Sequence, residues 1–288
     1  MRCTRVLLAS LLVAGAIAPL AAHPFGFAQG RQAPPPYGIL VVNDDGIRAP
    51  GLAALAQILQ AIGEVTIVAP GENQSGASQS ISTRQPIFRE DLTLTNGLRA
   101  IGLTATPATS VQVAIKNIMR PRPDLVVAGI NNSYNLGTAV HLGGTVGAAR
   151  QGAMEGVPAI AASMAASAVP RDILAAAEEV LGVARRAKQY GLPAQTFLNV
   201  NIPPMPPGGY KGYQVTRQAA TRGGVETFAE AKHPGSGATI YWSVYNEGGS
   251  APEGTDIWAV QNGFVSVTPL KIDDTDTAAI DNIRGWFK

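Results

Sequence analysis

Cysteine is all but missing from this sequence: Cys3 is the one example, and it sits at the very start of the chain. No internal disulfide can form, and the body of the chain has no thiolate to bind a metal or attack a substrate. Histidine is nearly as scarce. His23, His141 and His233 show no paired ligand spacing, so an imidazole zinc site is not indicated. Three glycine signatures are also missing. No G-x-G-x-x-G turn follows the first predicted strand, no G-x-x-x-x-G-K-[ST] loop is present, and no G-x-S-x-G elbow occurs. Ser75 precedes Gly76, but no histidine is placed to suggest a hydrolase triad. Nor is there an excess of charge in the body. The formal net charge of +2 rests on Arg2 and Arg5, and residues 1–28 contain no acid, so their removal leaves 20 basic against 20 acidic residues. That balance argues against duplex nucleic acid as a partner, which normally requires a basic stripe.

What is present reads in four parts. Residues 1–28 look like a signal peptide, with Arg2 and Arg5 as a positive start, an apolar run over 6–18, and small residues near Ala22 or Ala28 for cleavage. The run is shorter than the ~20 residues of a spanning helix and Pro19 interrupts it. The expectation is therefore a protein exported to the periplasm or secreted, with no membrane association after cleavage. Residues 29–36, with three consecutive prolines, read as an extended linker. Residues 37–203 read as a Rossmann-like core, and 204–288 as a β-hairpin-rich appendage with a C-terminal helix.

The core reading rests on alternation. Residues 38–42 form a short β-branched run of the kind a strand buried on both faces produces. Pro50 stands at a first helical turn, and Leu52, Leu55, Leu59 and Ile62 recur at helical spacing. Residues 65–68 give the next strand. A helix near 109–119, a strand at 124–128, a helix over 144–154, a strand at 159–162, a helix over 171–190 and a strand at 197–200 continue the pattern. The fold class expected is α/β, a doubly wound, mostly parallel sheet. Beyond 202 the segments 210–216, 239–245, 256–260 and 263–267 read as strands, and 280–287 as a short amphipathic helix able to pack back on the body.

Ligands in such sheets bind outside the carboxyl ends of the strands. Asn43, Asp44 and Asp45 follow the first strand, Glu72, Asn73, Ser75 and Ser78 the second, and Asn131, Asn132 and Asn135 the strand ending at Ala128. Each cluster alone is ordinary turn or capping chemistry; their convergence on one edge gives them weight. Adjacent carboxylates with hydroxyl and amide oxygens suit a hard divalent cation. Such an ion can neutralise phosphoryl oxygens and lower the pKa of water. The loop 71–80 and the turn Leu142-Gly143-Gly144-Thr145, which leads into a helix, can both point N–H groups at an anion, the second being better placed.

These segments together resemble the SurE (survival protein E) 5′/3′-nucleotidase family along nearly the whole chain after the linker. The resemblance is carried by residues 39–51 (ILVVNDDGIRAPG), 68–80 (VAPGENQSGASQS), 119–137 (MRPRPDLVVAGINNSYNLG), 144–156 and 199–203 (NVNIP). It implies hydrolysis of nucleoside monophosphates or other small phosphomonoesters with Mg²⁺ or Mn²⁺. It places the metal on Asp44, Asp45, Ser75 and Asn131, with the two aspartates also catalytic, as ligands or with Asp44 as nucleophile. Asn43, Asn135, Gly144 and Thr145 fall at substrate or phosphate positions. The resemblance also implies homodimers or homotetramers swapped through C-terminal hairpins.

The chain departs from the family pattern near the pocket. Thr109 stands where the T-P-x-D-C-V pattern has a carboxylate, Ala139 replaces an aspartate, and Gly143 replaces the serine of Y-S-G-T. Arg150-Gln151 stands where Met-Glu is common, and Arg150 reads as a solvated helix charge. The rival reading is a non-catalytic protein that keeps the metal and a nucleotide or phosphate but has lost turnover.

Overall fold

The computed structural model describes residues 35–287 apart from 168, 222, 223, 247 and 248. The signal peptide and most of the linker expected from the sequence lie outside the described residues. Strand β1 (Gly38–Val42) leads into helix α1 (Pro50–Leu59) and strand β2 (Glu64–Pro70). An antiparallel pair, β3 (Arg89–Thr93) and β4 (Arg99–Leu103), precedes helix α2 (Pro107–Val113), which passes into a wider π turn at Ala114–Ile118. Strand β5 (Leu125–Asn131), a 3-10 turn (Gly137–His141), helix α3 (Gly144–Met154), strand β6 (Ala159–Met164), helix α4 (Pro170–Tyr190) and strand β7 (Thr196–Ile202) complete the alternation.

These strands lie in a nine-stranded sheet ordered β3-β4-β2-β1-β5-β6-β7, followed by β11 (Val265–Lys271) and β8 (Tyr213–Val215). From β4 to β7 every pairing is parallel, while β3 and β11 run antiparallel to their inner neighbours. Every residue of β5 and β6 is buried, as strands covered on both faces require. Helix α1 packs on α4, and α2 on α3. The chain moves outward from β1 to β2, then returns to place β5 on the other side of β1. That reversal opens a crevice at the carboxyl ends of β1 and β5.

The segment after residue 203 divides. Strands β8 and β11 extend the main sheet, whereas β9 (Gly224–Lys232) and β10 (Thr239–Asn246) pair only with each other as a separate antiparallel hairpin. The stretch read as a strand at 256–260 is helix α5 (Asp256–Gln261). Its Ile257, Trp258 and Val260 suggest a strand by composition, but Thr255 caps the helix, accepting from Trp258 N at 3.4 Å. Asp256 fixes the turn further. Its carboxylate, fully buried, accepts from Ile257 N and Ala219 N at 2.9 Å each and from Gly137 N at 2.8 Å. The C-terminal turns, α6 (Ile280–Arg284) and a 3-10 turn at Gly285–Phe287, bury no residue, so they do not pack back on the body.

Asp256→Ala strands three buried N–H groups and is expected to destabilise the fold by about 3 kcal/mol, the cost of orphaned donors to a charged acceptor. Urea unfolding of the purified protein measures it. A change under 1 kcal/mol would show that the tether is dispensable.

Candidate active site

The end of β1 supplies the centre. Asn43 is fully buried and Asp44 is 2% exposed. The Asp44 carbonyl accepts from Gln74 N at 2.7 Å, which seats the loop after β2 on the end of β1 and brings Ser75, the next residue, alongside. Ser75 N is itself held by Asn73 Oδ1 at 2.9 Å. Asp45 Oδ2 accepts from Asn132 N at 3.2 Å, tying it to the end of β5. Asn131, 7% exposed, spends its amide nitrogen on Ser133 O at 2.7 Å, so its carbonyl oxygen is the atom it has to offer a cation. The four expected metal ligands therefore come from three turns of one sheet edge, linked by these bonds.

Helix α3 starts against the same carboxylate. Thr145 Oγ1 donates to Asp44 Oδ1, and Thr145 is fully buried. Gly144 permits this approach: a Cβ there would stand 2.8 Å from Asp44 Cβ and 2.9 Å from Asp44 Oδ2. The turn is pinned from the other side by Ser78, whose N donates to Leu142 O at 3.0 Å and whose Oγ donates to His141 O at 2.6 Å. The Thr145 N–H donates to the same carboxylate, and an anion at this helix start meets the positive end of the helix dipole.

Of the four residues expected at the phosphate, Gly144 and Thr145 form this first turn, and Asn43 and Asn135 are buried with their amide nitrogens bonded inside the protein. Asn43 Nδ2 donates to Gly46 O at 2.9 Å, and its Oδ1 is buried without a partner. Asn135 is clamped on all sides. Its N donates to Asn201 Oδ1 at 2.9 Å, its carbonyl accepts from Asn199 Nδ2 and Asn201 Nδ2 at 2.8 and 3.1 Å, and its Nδ2 donates to Ser163 Oγ at 2.9 Å. Sequence reasoning did not single out Ser163, Asn199 or Asn201 as site residues. The available signal was the pair of asparagines inside an otherwise apolar strand.

The departures from the family pattern find local explanations. Thr109 Oγ1 accepts from Ser82 N at 2.8 Å and from Thr106 Oγ1 at 2.9 Å, so it anchors the loop before β3. Arg150 is not the solvated charge expected from the sequence. Its side chain is 16% exposed, pairs with Asp274 at 3.3 Å and lies over the Phe197 ring at 5.7 Å. It straps the segment after β11 onto α3.

The electrostatics define what the centre lacks. Burial pushes the Asp44 carboxyl up to about 6; the Thr145 hydroxyl opposes that rise and the charge of Asp45 adds to it. Burial also raises Asp45, with Asn132 N–H pulling back. Among the described residues neither carboxylate forms an ion pair. A buried and a half-buried carboxylate side by side, an orphaned amide oxygen on Asn43 and further hydroxyl and amide oxygens make an oxygen-only donor set short of positive charge. Those residues fit a hard divalent cation. A cavity of about 440 Å³ is lined by residues 65–67 of β2, Arg89 and residues 91–93 of β3, and residues 99–101 of β4. It is removed from these groups, and the carboxyl edge is where the chemistry collects.

Fold and site thus define a doubly wound α/β protein with an acidic, oxygen-lined centre at its switch point and a helix N-terminus facing it. The family model described as Survival protein SurE matches residues 39–224. The chain belongs to the SurE family. It is 39% identical over 250 residues to the 5′-nucleotidase SurE of Pseudoalteromonas atlantica, covering 86% of this chain and 98% of that protein. The 5′-nucleotidase SurE of Methylococcus capsulatus is 40% identical over 250 residues, covering 86% and 97%. The crystal structure of SurE protein from Aquifex aeolicus superposes with a TM-score of 0.73 at 34% identity, covering 87% of this chain and all of that one.

A carboxyl whose folded value is raised holds its proton more tightly in the folded state, so its contribution is most favourable below pH 4 and is lost as pH rises towards 6. For Asp44, with values of about 6 folded and 3.8 ordinarily, the loss is about 3 kcal/mol in metal-free protein. Urea unfolding of chelator-treated protein at pH 4 and pH 7 is expected to show this drop in the wild type and a smaller one, from Asp45, in Asp44→Asn. Parallel pH curves for the two proteins would refute it.

Proposed function

We propose that this protein is a phosphomonoesterase that releases phosphate from nucleoside 5′- or 3′-monophosphates with a bound Mg²⁺ or Mn²⁺. The observation that carries the reading is the adjacent pair of carboxylates without a cationic partner, Asp44 buried and Asp45 half-buried, set against the N-terminus of α3, in a chain whose relatives are named 5′-nucleotidase. Asp44, Asp45, Ser75 and Asn131 would hold the ion, which when bound supplies positive charge to the phosphoryl oxygens. Gly144 and Thr145 orient the phosphate on the helix start. Thr145 also fixes the rotamer of Asp44, and Asn132 fixes that of Asp45, so both carboxylates are preorganised. Asn135, gripped by Asn199 and Asn201, holds the loop that carries Asn131.

Incubating the purified protein with adenosine 5′- and 3′-monophosphate and an aryl phosphate, with and without Mn²⁺, tests this. Metal-dependent release is expected, falling roughly 1,000-fold in Asp44→Ala, equivalent to about 4 kcal/mol. Thr145→Val removes the hydroxyl that orients a ligand carboxylate and is expected to lose roughly 10–100-fold. Manganese binding without release above the Asp44→Ala background would make the protein the non-catalytic binder instead.

We propose export to the periplasm or beyond, from the charged and apolar pattern of residues 1–28; among the described residues no helix is long and apolar enough to cross a membrane. We also propose a homodimer or homotetramer joined through the β9–β10 hairpin. A two-stranded hairpin is marginal alone, and this one exposes Phe228, Tyr241 and Trp242 at 60–67%. Light scattering of the wild type is expected to give a multiple of the chain mass and of Trp242→Asp a smaller assembly; a monomeric wild type would reject this.

A further inference from the structure

A cavity of about 110 Å³ lies between the loops that follow β6 and β7 and the start of α4. Met164, Pro203, Pro204, Met205 and Tyr210 give it apolar and aromatic walls, and Asp172 and Ser167 give it a polar edge. We propose that it is the nucleobase subsite for the reaction proposed above, favouring bases that carry an exocyclic amine.

Position supports this first. The cavity opens at the carboxyl ends of β6 and β7, the same edge as the carboxylates. From the end of β5, where Asn131 sits, to the end of β7 is two strand spacings, about 10 Å, comparable with the reach of a nucleotide from phosphate to base. A direct chain of bonds joins the two places. Ser167 N donates to Asn132 Oδ1 at 2.8 Å, and Asn132 N donates to Asp45 Oδ2 at 3.2 Å. The cavity wall and the centre are thus set in register by one residue.

Size and chemistry support it next. The volume is well below the ~300 Å³ at which pockets enclose whole ligands, so it has room for one ring system, with sugar and phosphate lying along the open rim. Asp172 Oδ2 accepts from Ser167 Oγ at 2.8 Å and its Oδ1 lies 3.8 Å from the exposed Arg171 guanidinium, and a carboxylate, with about four acceptor sites, keeps lone pairs for another donor. Tyr210, which lines the same cavity, supplies a hydroxyl donor. An acceptor and a donor lining one ring-sized cavity are the complement of an amine next to a ring nitrogen. A base with a carbonyl in place of the amine would set an oxygen against the carboxylate, the unpaired polar contact that discriminates most strongly. Asp172 also lies in the first turn of α4, where it favours the helix, so Tyr210 provides the independent variant.

Steady-state kinetics with saturating Mn²⁺ would compare adenosine with inosine monophosphate, cytidine with uridine monophosphate, and ribose 5-phosphate as the base-free control. The expected result is a preference of about tenfold or more in kcat/KM for the amino base of each pair. Tyr210→Phe and Asp172→Asn should each lower kcat/KM for adenosine monophosphate about tenfold through KM, leaving ribose 5-phosphate unchanged. Equal turnover of amino and oxo bases, or equal losses on ribose 5-phosphate, overturns the subsite while leaving phosphatase activity standing. If no substrate releases phosphate, the function proposed above falls, and calorimetry then decides the subsite alone. Adenosine monophosphate binding no tighter than ribose 5-phosphate, or unweakened by Tyr210→Phe, overturns it.

Discussion

The contact between Asp44 and the first turn of α3 governs the arrangement around it. A carboxylate removed from water needs compensation, and here it receives the hydroxyl and N–H of Thr145 and its own N–H, against a second carboxylate that makes matters worse. The approach is close enough that only glycine fits at 144. The same contact aligns the helix N-terminus with the crevice between β1 and β5, so one constraint places a deficit of positive charge beside a receptor for an anion. A cation and a phosphate group are complementary to those two features, and a bare apolar ligand to neither.

Around this centre the protein uses buried polar groups as struts. Asn199 and Asn201 sit on one face of β7, opposite Thr268 and Ser266 of β11. They close on the main chain of Asn135, which in turn reaches Ser163 on β6. Asp256 takes up Gly137 two residues on. The loop between β5 and α3 is thereby held from three directions. Because each strut is hydrogen-bonded in a water-poor interior, a lost partner costs more than the bond itself is worth. Such networks favour a single arrangement.

The C-terminal region is built on two principles. Strands β8 and β11 are absorbed into the main sheet, with the Thr216 hydroxyl shared between Ser266 and Thr268 at 2.8 and 2.7 Å. The β9–β10 hairpin has no such support and carries its aromatic residues outward. One part completes a core, and the other presents a surface.

By itself the sequence determined the parallel α/β alternation, the strand whose end carries Asp44 and Asp45, and the helix start at Gly144-Thr145, because periodicity, β-branched runs and turn residues act over a few positions. The edge pair β3–β4 escaped it, since REDLT is charged and mostly exposed and carries no apolar alternation. Helix α5 escaped it because a cap and a buried tether outweigh the strand preference of Ile257, Trp258 and Val260. Only the tertiary structure decided that Arg150 would meet Asp274, 124 positions away, that Asn199 and Asn201 would grip the main chain of Asn135, and that an aspartate and a tyrosine would share a cavity. Those outcomes depend on which surfaces lose water together, and that is set when distant segments pack.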